Sequence, residues 1–142
     1  MDELLQFGKE VLASQPFSKL VGAQLTTFLP GHVELTVKIT PQLKQQHGFV
    51  HGGVISYAAD NALTFVGGSV LGPGVVTSEY KINYLRPAIG SDLIARATVV
   101  SSSRTQAVCR CDLYVVGEDK EELCAVSQGT IARMGQDSKD KA

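Results

Sequence analysis

Alternation of apolar and polar residues predicts a β-sheet over much of this chain. In Val33–Ile39 the odd positions are apolar and the even positions polar, as in a strand with one buried face. Ala23–Phe28 precedes it, and Leu29-Pro30-Gly31 between them is a turn signal, so the pair predicts a hairpin. Four further strands are predicted over Val75–Leu85, Asp92–Ser101, Gln106–Val116 and Leu123–Met134.

Two segments without this alternation predict helices. Residues 2–13 repeat apolar residues at helical spacing, and Pro16 is expected to end that element. Val54 to about Val70 has no proline, and its many small residues would let a sheet approach closely on several sides. We expect a long buried central helix there, preceded by a polar loop over Pro41–Val50 and ended by Gly72-Pro73-Gly74.

This order of elements predicts the α+β class, with an antiparallel sheet packed on one long helix. A chain of 142 residues is expected to form one domain, residues 1–142, with a sizeable core. The polar tail from Gly135 is expected to be disordered.

Composition and charge narrow the class of protein. Hydrophobic residues make up 44% of the chain and charged residues 19%, and a net charge of −1 gives no basic field for nucleic acid or an anionic membrane. The apolar region Val54–Val76 is interrupted by Asp60, glycines and Pro73, so no membrane span is expected. The acidic start Met1-Asp2-Glu3 is unlike a signal peptide, and we expect a cytoplasmic protein.

The three cysteines, Cys109, Cys111 and Cys124, have the spacing of neither a disulfide framework nor a zinc site. Cys109 and Cys111 alternate with Arg110 and Asp112, which predicts that both thiols point into the core. Structural burial is therefore favoured over a metal or nucleophile role.

The polar chemistry is concentrated between Gln45 and Asp60. His51-Gly52-Gly53 precedes the predicted helix, and the Gly52 N–H at a helix N-terminus could form an oxyanion hole. Asp60 lies on an apolar stretch of that helix, where a carboxylate is costly unless it is paired or functional. Asp60 is therefore the candidate general base or nucleophile.

The residues near Gly52 and Asp60 have alternative interpretations. In such a site a substrate carbonyl group would react with water. His51 could contact that carbonyl group, but we favour a role in capping the helix and ordering the loop. Gln45 could hold the attacking water or the carbonyl oxygen through its amide, and it could equally be a solvated loop residue. Of Thr77 and Ser78, alternation directs only one toward the site.

Five residues are candidates for substrate binding: Gly53, Asn61, Ser78, Arg86 and Arg104. Asn61 points about 100° away from Asp60 around the helix, which favours a structural role. The two arginines could bind the phosphates of a large ligand such as coenzyme A, although a solvated surface role is commoner for any single arginine.

Helix geometry separates the two central candidates. Gly52 and Asp60 are eight residues apart, or roughly 12 Å along a helix axis. That distance is too long for both groups of one chain to serve one reacting carbon. A two-fold dimer with antiparallel helices would place Gly52 of each subunit against Asp60 of the other.

From about Leu20 to Met134 the chain resembles the hotdog-fold acyl-CoA thioesterases of the PaaI-like, phenylacetic acid degradation branch. The resemblance rests on His51-Gly52-Gly53 with Asp60 at the family spacing, and on Val76–Ala88, which ends in Leu-Arg-Pro-Ala. It implies an antiparallel sheet wrapped around a long central helix. It also implies hydrolysis of an acyl-CoA substrate by a homodimer or homotetramer, with neither metal nor cofactor.

The resemblance also implies roles for individual residues. The oxyanion-hole glycine corresponds to Gly52, the catalytic carboxylate to Asp60 and a hydroxyl near the reacting centre to Thr77. The family often has asparagine where this chain has Gln45, whose longer side chain moves the amide by one methylene group.

Two other functions remain open on the sequence alone. A hotdog hydroxyacyl-thioester dehydratase or hydratase would carry motifs such as His-Phe-Pro or Asp-x-Asn-Pro-x-His, and neither occurs in the chain. A non-catalytic acyl-CoA-binding module would leave Asp60 without a clear purpose. The acyl group is also open, because Tyr57, Phe65 and Tyr84 could line an aryl or medium-chain pocket or simply pack in the core.

Overall fold

Three helices and six strands account for most of residues 2–135, the part of the chain that the computed structural model describes. The helices are α1 (Asp2–Ala13), α2 (Pro16–Val21) and α3 (Gly52–Leu71). The strands are β1 (Ala23–Leu29), β2 (His32–Lys38), β3 (Val75–Tyr84), β4 (Asp92–Ser102), β5 (Gln106–Val116) and β6 (Glu121–Arg133). The tail after Gly135, which the sequence predicts to be disordered, lies outside the described residues.

The six strands form one antiparallel sheet in the order β1-β2-β4-β5-β6-β3. Helix α3 follows β2, packs against every strand of the sheet and leads into β3 at the far edge. The predicted class, an α+β fold with an antiparallel sheet around one long central helix, is confirmed. None of the helices within residues 2–135 is both long and apolar enough to cross a membrane.

The core lies between α3 and the inner face of the sheet. On β2 and β5, and on β4 as far as Ala97, the odd-numbered positions are buried, as the alternation predicts. Cys109, Cys111 and Cys124 are completely buried, and burial raises the pKa of Cys109 and of Cys124 to about 11. Thiols that stay protonated are poor nucleophiles, so the predicted structural role of the cysteines is confirmed.

The prediction that Pro16 simply ends the N-terminal helical segment is incomplete. Pro16 begins a second helix, α2, because its fixed φ suits the first helical position and its missing N–H costs nothing there. Pro41 similarly begins a short 3₁₀ turn, Pro41–Leu43, within the predicted polar loop. That loop ends at Val50, which is buried and donates its N–H to the Ala88 carbonyl.

Two adjacent glycines on α3 face different surroundings. A Cβ on Gly67 would lie 2.5 Å from the Cβ of Ile131 on β6, so the bare backbone at Gly67 is what lets the helix approach the sheet. A Cβ on Gly68 would lie 3.4 Å from Val75 Cγ2, close to an ordinary contact.

We predict that Gly67→Ala destabilises the protein by about 1–3 kcal/mol, the usual cost of overpacking a core. Gly68→Ala is the matched control, because it makes the same change one residue along the same helix. It should be neutral or stabilising, since alanine favours a helix over glycine by about 0.5–1 kcal/mol. Urea unfolding measures both changes, and equal stabilities for the two variants would contradict this account of the helix–sheet contact.

Candidate active site at the helix and the edge strand

The first turn of α3 leaves one backbone donor free. His51 is the N-cap, and its Nδ1 accepts a hydrogen bond of 2.8 Å from the Gly53 N–H. The N–H groups of Val54 and Ile55 both reach the His51 carbonyl oxygen. Only the Gly52 N–H, among the four donors of this turn, has no partner within residues 2–135. The expectation that His51 caps the helix is confirmed, and the cap leaves Gly52 available to a ligand oxygen.

The loop before α3 fixes which end of the Gln45 amide is free. Gln45 Oε1 accepts a hydrogen bond from the His47 N–H, which requires oxygen rather than nitrogen at that position. Its Nε2 is hydrogen-bonded to no group of the described chain. The Gln45 side chain can therefore donate a hydrogen bond but has its carbonyl oxygen already engaged.

Gln45 and Gly52 line the same cleft of about 350 Å³, together with Tyr84 and Arg86. We call it the Gly52 cleft. Tyr84 borders Gly52 closely, since its hydroxyl donates to the Gly52 carbonyl oxygen at 3.1 Å. The structure thus brings together the predicted glycine donor, the predicted amide and one of the two predicted arginines.

Asp60 is held by two threonines. Thr77 Oγ1 donates to Asp60 Oδ1 at 2.6 Å, and Thr64 Oγ1 lies 2.8 Å from Thr77 Oγ1 and 2.8 Å from the Asp60 carbonyl oxygen. Asp60 Oδ2 has no hydrogen-bond partner in residues 2–135. The half-buried carboxylate is therefore oriented through one oxygen and free to act through the other. Thr64 was not predicted, although its spacing of four residues from Asp60 is a signal that both share a helix face.

A β-bulge at Ser78 decides which side chains of β3 face α3. Thr77 pairs with Ile131 of β6 and Glu79 with Thr130, so Ser78 is an extra residue without a partner. The bulge puts Tyr80 on the same side as Thr77 although the two are three positions apart, an odd spacing that would otherwise put them on opposite faces. Thr77 thus faces the site and Ser78 is exposed, which agrees with the expectation that only one of the two points inward.

Helix α3 and strand β3 run antiparallel to each other, and three contacts join them. Gly52 contacts Tyr84, Ser56 Oγ lies 2.5 Å from Tyr80 OH, and Asp60 accepts from Thr77. These helix positions are four residues apart, so they form one stripe that faces the edge strand. Gly52 and Asp60 both lie on α3, roughly 12 Å apart along its axis, as the sequence predicts.

Two of the substrate-binding candidates are engaged within the chain. Asn61 Nδ2 donates to Tyr57 OH at 3.0 Å and lies within 3.3 Å of Ser18 Oγ and Gln15 Oε1, so it ties α3 to α2. The Gly53 N–H is taken by the cap. These hydrogen bonds agree with the structural role favoured for Asn61.

The two arginine candidates lie at opposite ends of α3. Arg86 borders the Gly52 cleft and forms an exposed ion pair of 2.9 Å with Glu122. Arg104 lies in the β4–β5 turn, where the Thr105 carbonyl accepts the Arg133 N–H. Met134, which follows Arg133 in the chain, donates to the carbonyl of Gly74, just beyond the C-terminal end of α3. These two hydrogen bonds place the β4–β5 turn near that end of the helix.

Within residues 2–135, no three His, Cys, Asp or Glu side chains lie close enough together to hold a metal ion.

Comparisons with known proteins agree with this architecture. A thioesterase family protein from Silicibacter pomeroyi is 35% identical, with a TM-score of 0.84 over 88% of this chain and 93% of that one. The phenylacetic acid degradation protein PaaI from Thermus thermophilus is 30% identical, with a TM-score of 0.73 over 84% of this chain and 100% of that one. A thioesterase from Haemophilus influenzae is 26% identical, with a TM-score of 0.81 over 92% and 90% of the two chains.

A family match covers more than half of the sequence. Residues 47–122 match the thioesterase superfamily, and this span includes the helix cap, Asp60 and Thr77. The match and the solved structures confirm the resemblance to hotdog thioesterases that the sequence motifs indicate, and with it the expected enzyme class of thioester hydrolase. The chain belongs to the thioesterase superfamily.

Proposed function

We propose that the protein is an acyl-CoA thioesterase that hydrolyses an acyl- or aryl-acyl-CoA to the free acid and CoA. The single observation that supports this most is the stripe on α3, which presents a free backbone N–H at Gly52 and an oriented carboxylate at Asp60. The first group suits a developing oxyanion, and the second suits a water molecule or the carbonyl carbon itself.

In the proposed reaction the thioester oxygen accepts a hydrogen bond from the Gly52 N–H at the positive end of the α3 dipole. With Asp60 as general base, water attacks the carbonyl carbon while its proton passes to the carboxylate. The tetrahedral intermediate then collapses, the C–S bond breaks, and the CoA sulfur takes the proton. With Asp60 as nucleophile, the same C–S cleavage leaves an anhydride that water hydrolyses.

The open edge of β3 supports a dimer in which the two groups meet. Outside its pairing with β6, this ten-residue strand has no partner within residues 2–135, and Val76 and Tyr84 on it are about half exposed. An open edge of this length is a template for pairing with another strand. We propose that two copies pair β3 against β3 about a two-fold axis.

The stripe supports a particular register for that pairing. If Thr77 lies opposite Tyr84 of the partner subunit, the two-fold axis passes near Tyr80 and Lys81. Because Asp60 lies beside Thr77 and Gly52 beside Tyr84, each Asp60 then approaches Gly52 of the partner subunit. Each dimer would carry two composite sites.

In this assembly the free Nε2 of Gln45 would donate to the same thioester oxygen as Gly52, since both line the Gly52 cleft. Arg86 at the rim of that cleft would meet phosphates of the CoA moiety, as would the more distant Arg104 of a neighbouring subunit. The proposed compartment is the cytoplasm, where free thiols such as the three buried cysteines persist.

We predict that Asp60→Asn lowers kcat by at least about 100-fold while folding and dimerisation are retained, because asparagine keeps the shape but cannot accept a proton. The measurement is release of free thiol from an acyl-CoA. Asp119→Asn, in the exposed β5–β6 turn, is the matched control and should keep wild-type turnover. Near-normal turnover by Asp60→Asn would remove Asp60 from the mechanism.

The Gln45 amide generates a separate prediction. Gln45→Glu keeps the oxygen that accepts from the His47 N–H, but it loses the Nε2 donor and brings a negative charge toward the oxyanion. We expect kcat to fall by roughly 100-fold, as for the loss of one oxyanion-hole donor. Gln46→Glu adds the same charge at the neighbouring exposed position and should have little effect. Equal activities of the two variants would show that Gln45 only orders the loop.

The composite site predicts recovery of activity in mixed dimers. Asp60→Asn and Gly52→Val homodimers should each be inactive, but a mixed dimer has one site with both lesions and one site with neither. Random exchange of equal amounts makes about half the dimers mixed, so thiol release should approach roughly a quarter of the wild-type rate. No recovery, despite subunit exchange verified by native mass spectrometry, would show that both groups do not act across the interface.

A further inference from the structure

A second cleft, of about 380 Å³, separates α1 from the C-terminal half of α3. We call it the α1 cleft. Its volume lies in the range of small-molecule sites, and it is well above the roughly 150 Å³ of an apolar cavity that holds a benzene ring. Eight apolar side chains line it: Leu4, Phe7, Val11, Phe28, Phe65, Val70, Pro73 and Val75.

The α1 cleft begins beside Asp60, since Asn61, the next residue along α3, lines it. Thr64 and Gly68 line it, and with Asp60 they continue the stripe on α3 at intervals of four residues. Val75 lies two residues before Thr77 and on the same side of β3. The cleft therefore begins within one helical turn of Asp60 and reaches Gly68, which is roughly 12 Å from Asp60 along the helix axis.

The wall formed by α1 is held firmly in place. A Cβ on Gly8 would lie 2.5 Å from both Leu25 and Phe28, so α1 packs on β1 by direct backbone approach. Phe28 in turn meets Phe65 of α3 edge to face, with ring centroids 5.5 Å apart. The cleft is thus a feature of the packed core rather than a gap beneath a loose helix.

Apolar surface is left open in this cleft. Phe7 is 46% exposed and Val70 40% exposed, and Gly68 contributes no side chain to fill the space between α1 and α3. A bound apolar group would cover these surfaces.

Near Asp60 the lining is polar, from Gln15, Asn61 and Thr64. Further along, the Ser69 hydroxyl is already engaged, because it accepts from the Gly31 N–H and donates to the Val66 carbonyl. This arrangement matches a ligand that is polar at one end only.

We propose that the α1 cleft binds the acyl group of the substrate, and that this group is an apolar chain of medium length rather than acetyl. The proposal rests on the proposed thioesterase function, because the reacting carbonyl group must lie at Asp60. Each methylene group buried in the cleft should raise kcat/KM about fourfold. The gain should stop beyond Gly72 and Pro73, which line the end of the cleft far from Asp60, because a longer chain would extend into solvent.

The test compares kcat/KM for acetyl-, butanoyl-, octanoyl- and dodecanoyl-CoA. The wild-type protein should prefer octanoyl- to acetyl-CoA by at least roughly 100-fold, the gain expected if only three or four of the six additional methylene groups are buried, and dodecanoyl-CoA should give no further gain. Gly68→Val and Val11→Phe fill the cleft from opposite walls, and each should lower the octanoyl/acetyl ratio at least about tenfold. Val100→Phe, at an exposed position on β4 outside both clefts, should leave the ratio unchanged.

Three results would overturn the proposal while leaving the thioesterase function intact. The first is a wild-type enzyme that hydrolyses all chain lengths equally well. The second is that both cleft-filling variants keep the wild-type octanoyl/acetyl ratio. The third is loss of the dimer in both variants, measured by light scattering, with all substrates affected alike, which would identify the cleft as part of a subunit interface.

Binding of non-hydrolysable thioethers separates the cleft from catalysis. S-octyl-CoA should bind the wild-type protein more tightly than S-ethyl-CoA in calorimetry, and Gly68→Val and Val11→Phe should abolish the difference. If this binding pattern is found but no acyl-CoA is hydrolysed, the proposal that the α1 cleft binds the acyl group is supported and the proposed thioesterase function is wrong. Equal affinities for the two thioethers would overturn the cleft proposal whatever the enzyme hydrolyses.

Discussion

The position of α3 against the sheet is the constraint on which the rest of the structure depends. Gly67 lets the helix backbone approach Ile131 of β6, and a Cβ at that position would meet the Ile131 side chain at 2.5 Å. With this distance set, the neighbouring helix face lies beside β3, where Tyr84, Tyr80 and Thr77 contact it in turn. The geometry of the candidate site is therefore a consequence of core packing.

Along this face the hydrogen-bonding groups are nearly all satisfied, and the exceptions are the groups with proposed roles. The cap uses the Gly53 N–H, and the next two donors use the His51 carbonyl, so in that turn only the Gly52 N–H lacks a partner among residues 2–135. Thr77 holds one oxygen of Asp60, and the other has no partner in the same part of the chain. A polar group without a protein partner must be hydrogen-bonded by water or by a ligand. The Gly52 N–H and the second oxygen of Asp60 can therefore each bind a water molecule or a ligand atom.

The face of α3 that lies beside β3 is polar in its N-terminal half and has apolar surroundings toward its C-terminal end. Its N-terminal half presents polar groups from Gly52 to Thr64, and its C-terminal part, from Gly68 onward, borders the apolar walls contributed by α1 and by Phe65. A thioester has this division too, with a polar reacting centre and an apolar chain. The open edge of β3 lies beside the polar half, which is where the proposed two-fold pairing would complete each site.

Local regularities determined what could be predicted from the sequence alone. Alternation located the strands, and the fixed rise of a helix gave the separation of Gly52 and Asp60, because both depend only on neighbouring residues. The first helix ends before Pro16 as predicted, but the second helix was missed, because a proline can begin a helix as well as end one. Only the tertiary structure decided the bulge at Ser78, the contact of Thr64 with Thr77 and the cleft beneath α1. Each of these depends on how segments distant in sequence pack together, and no local pattern records that packing.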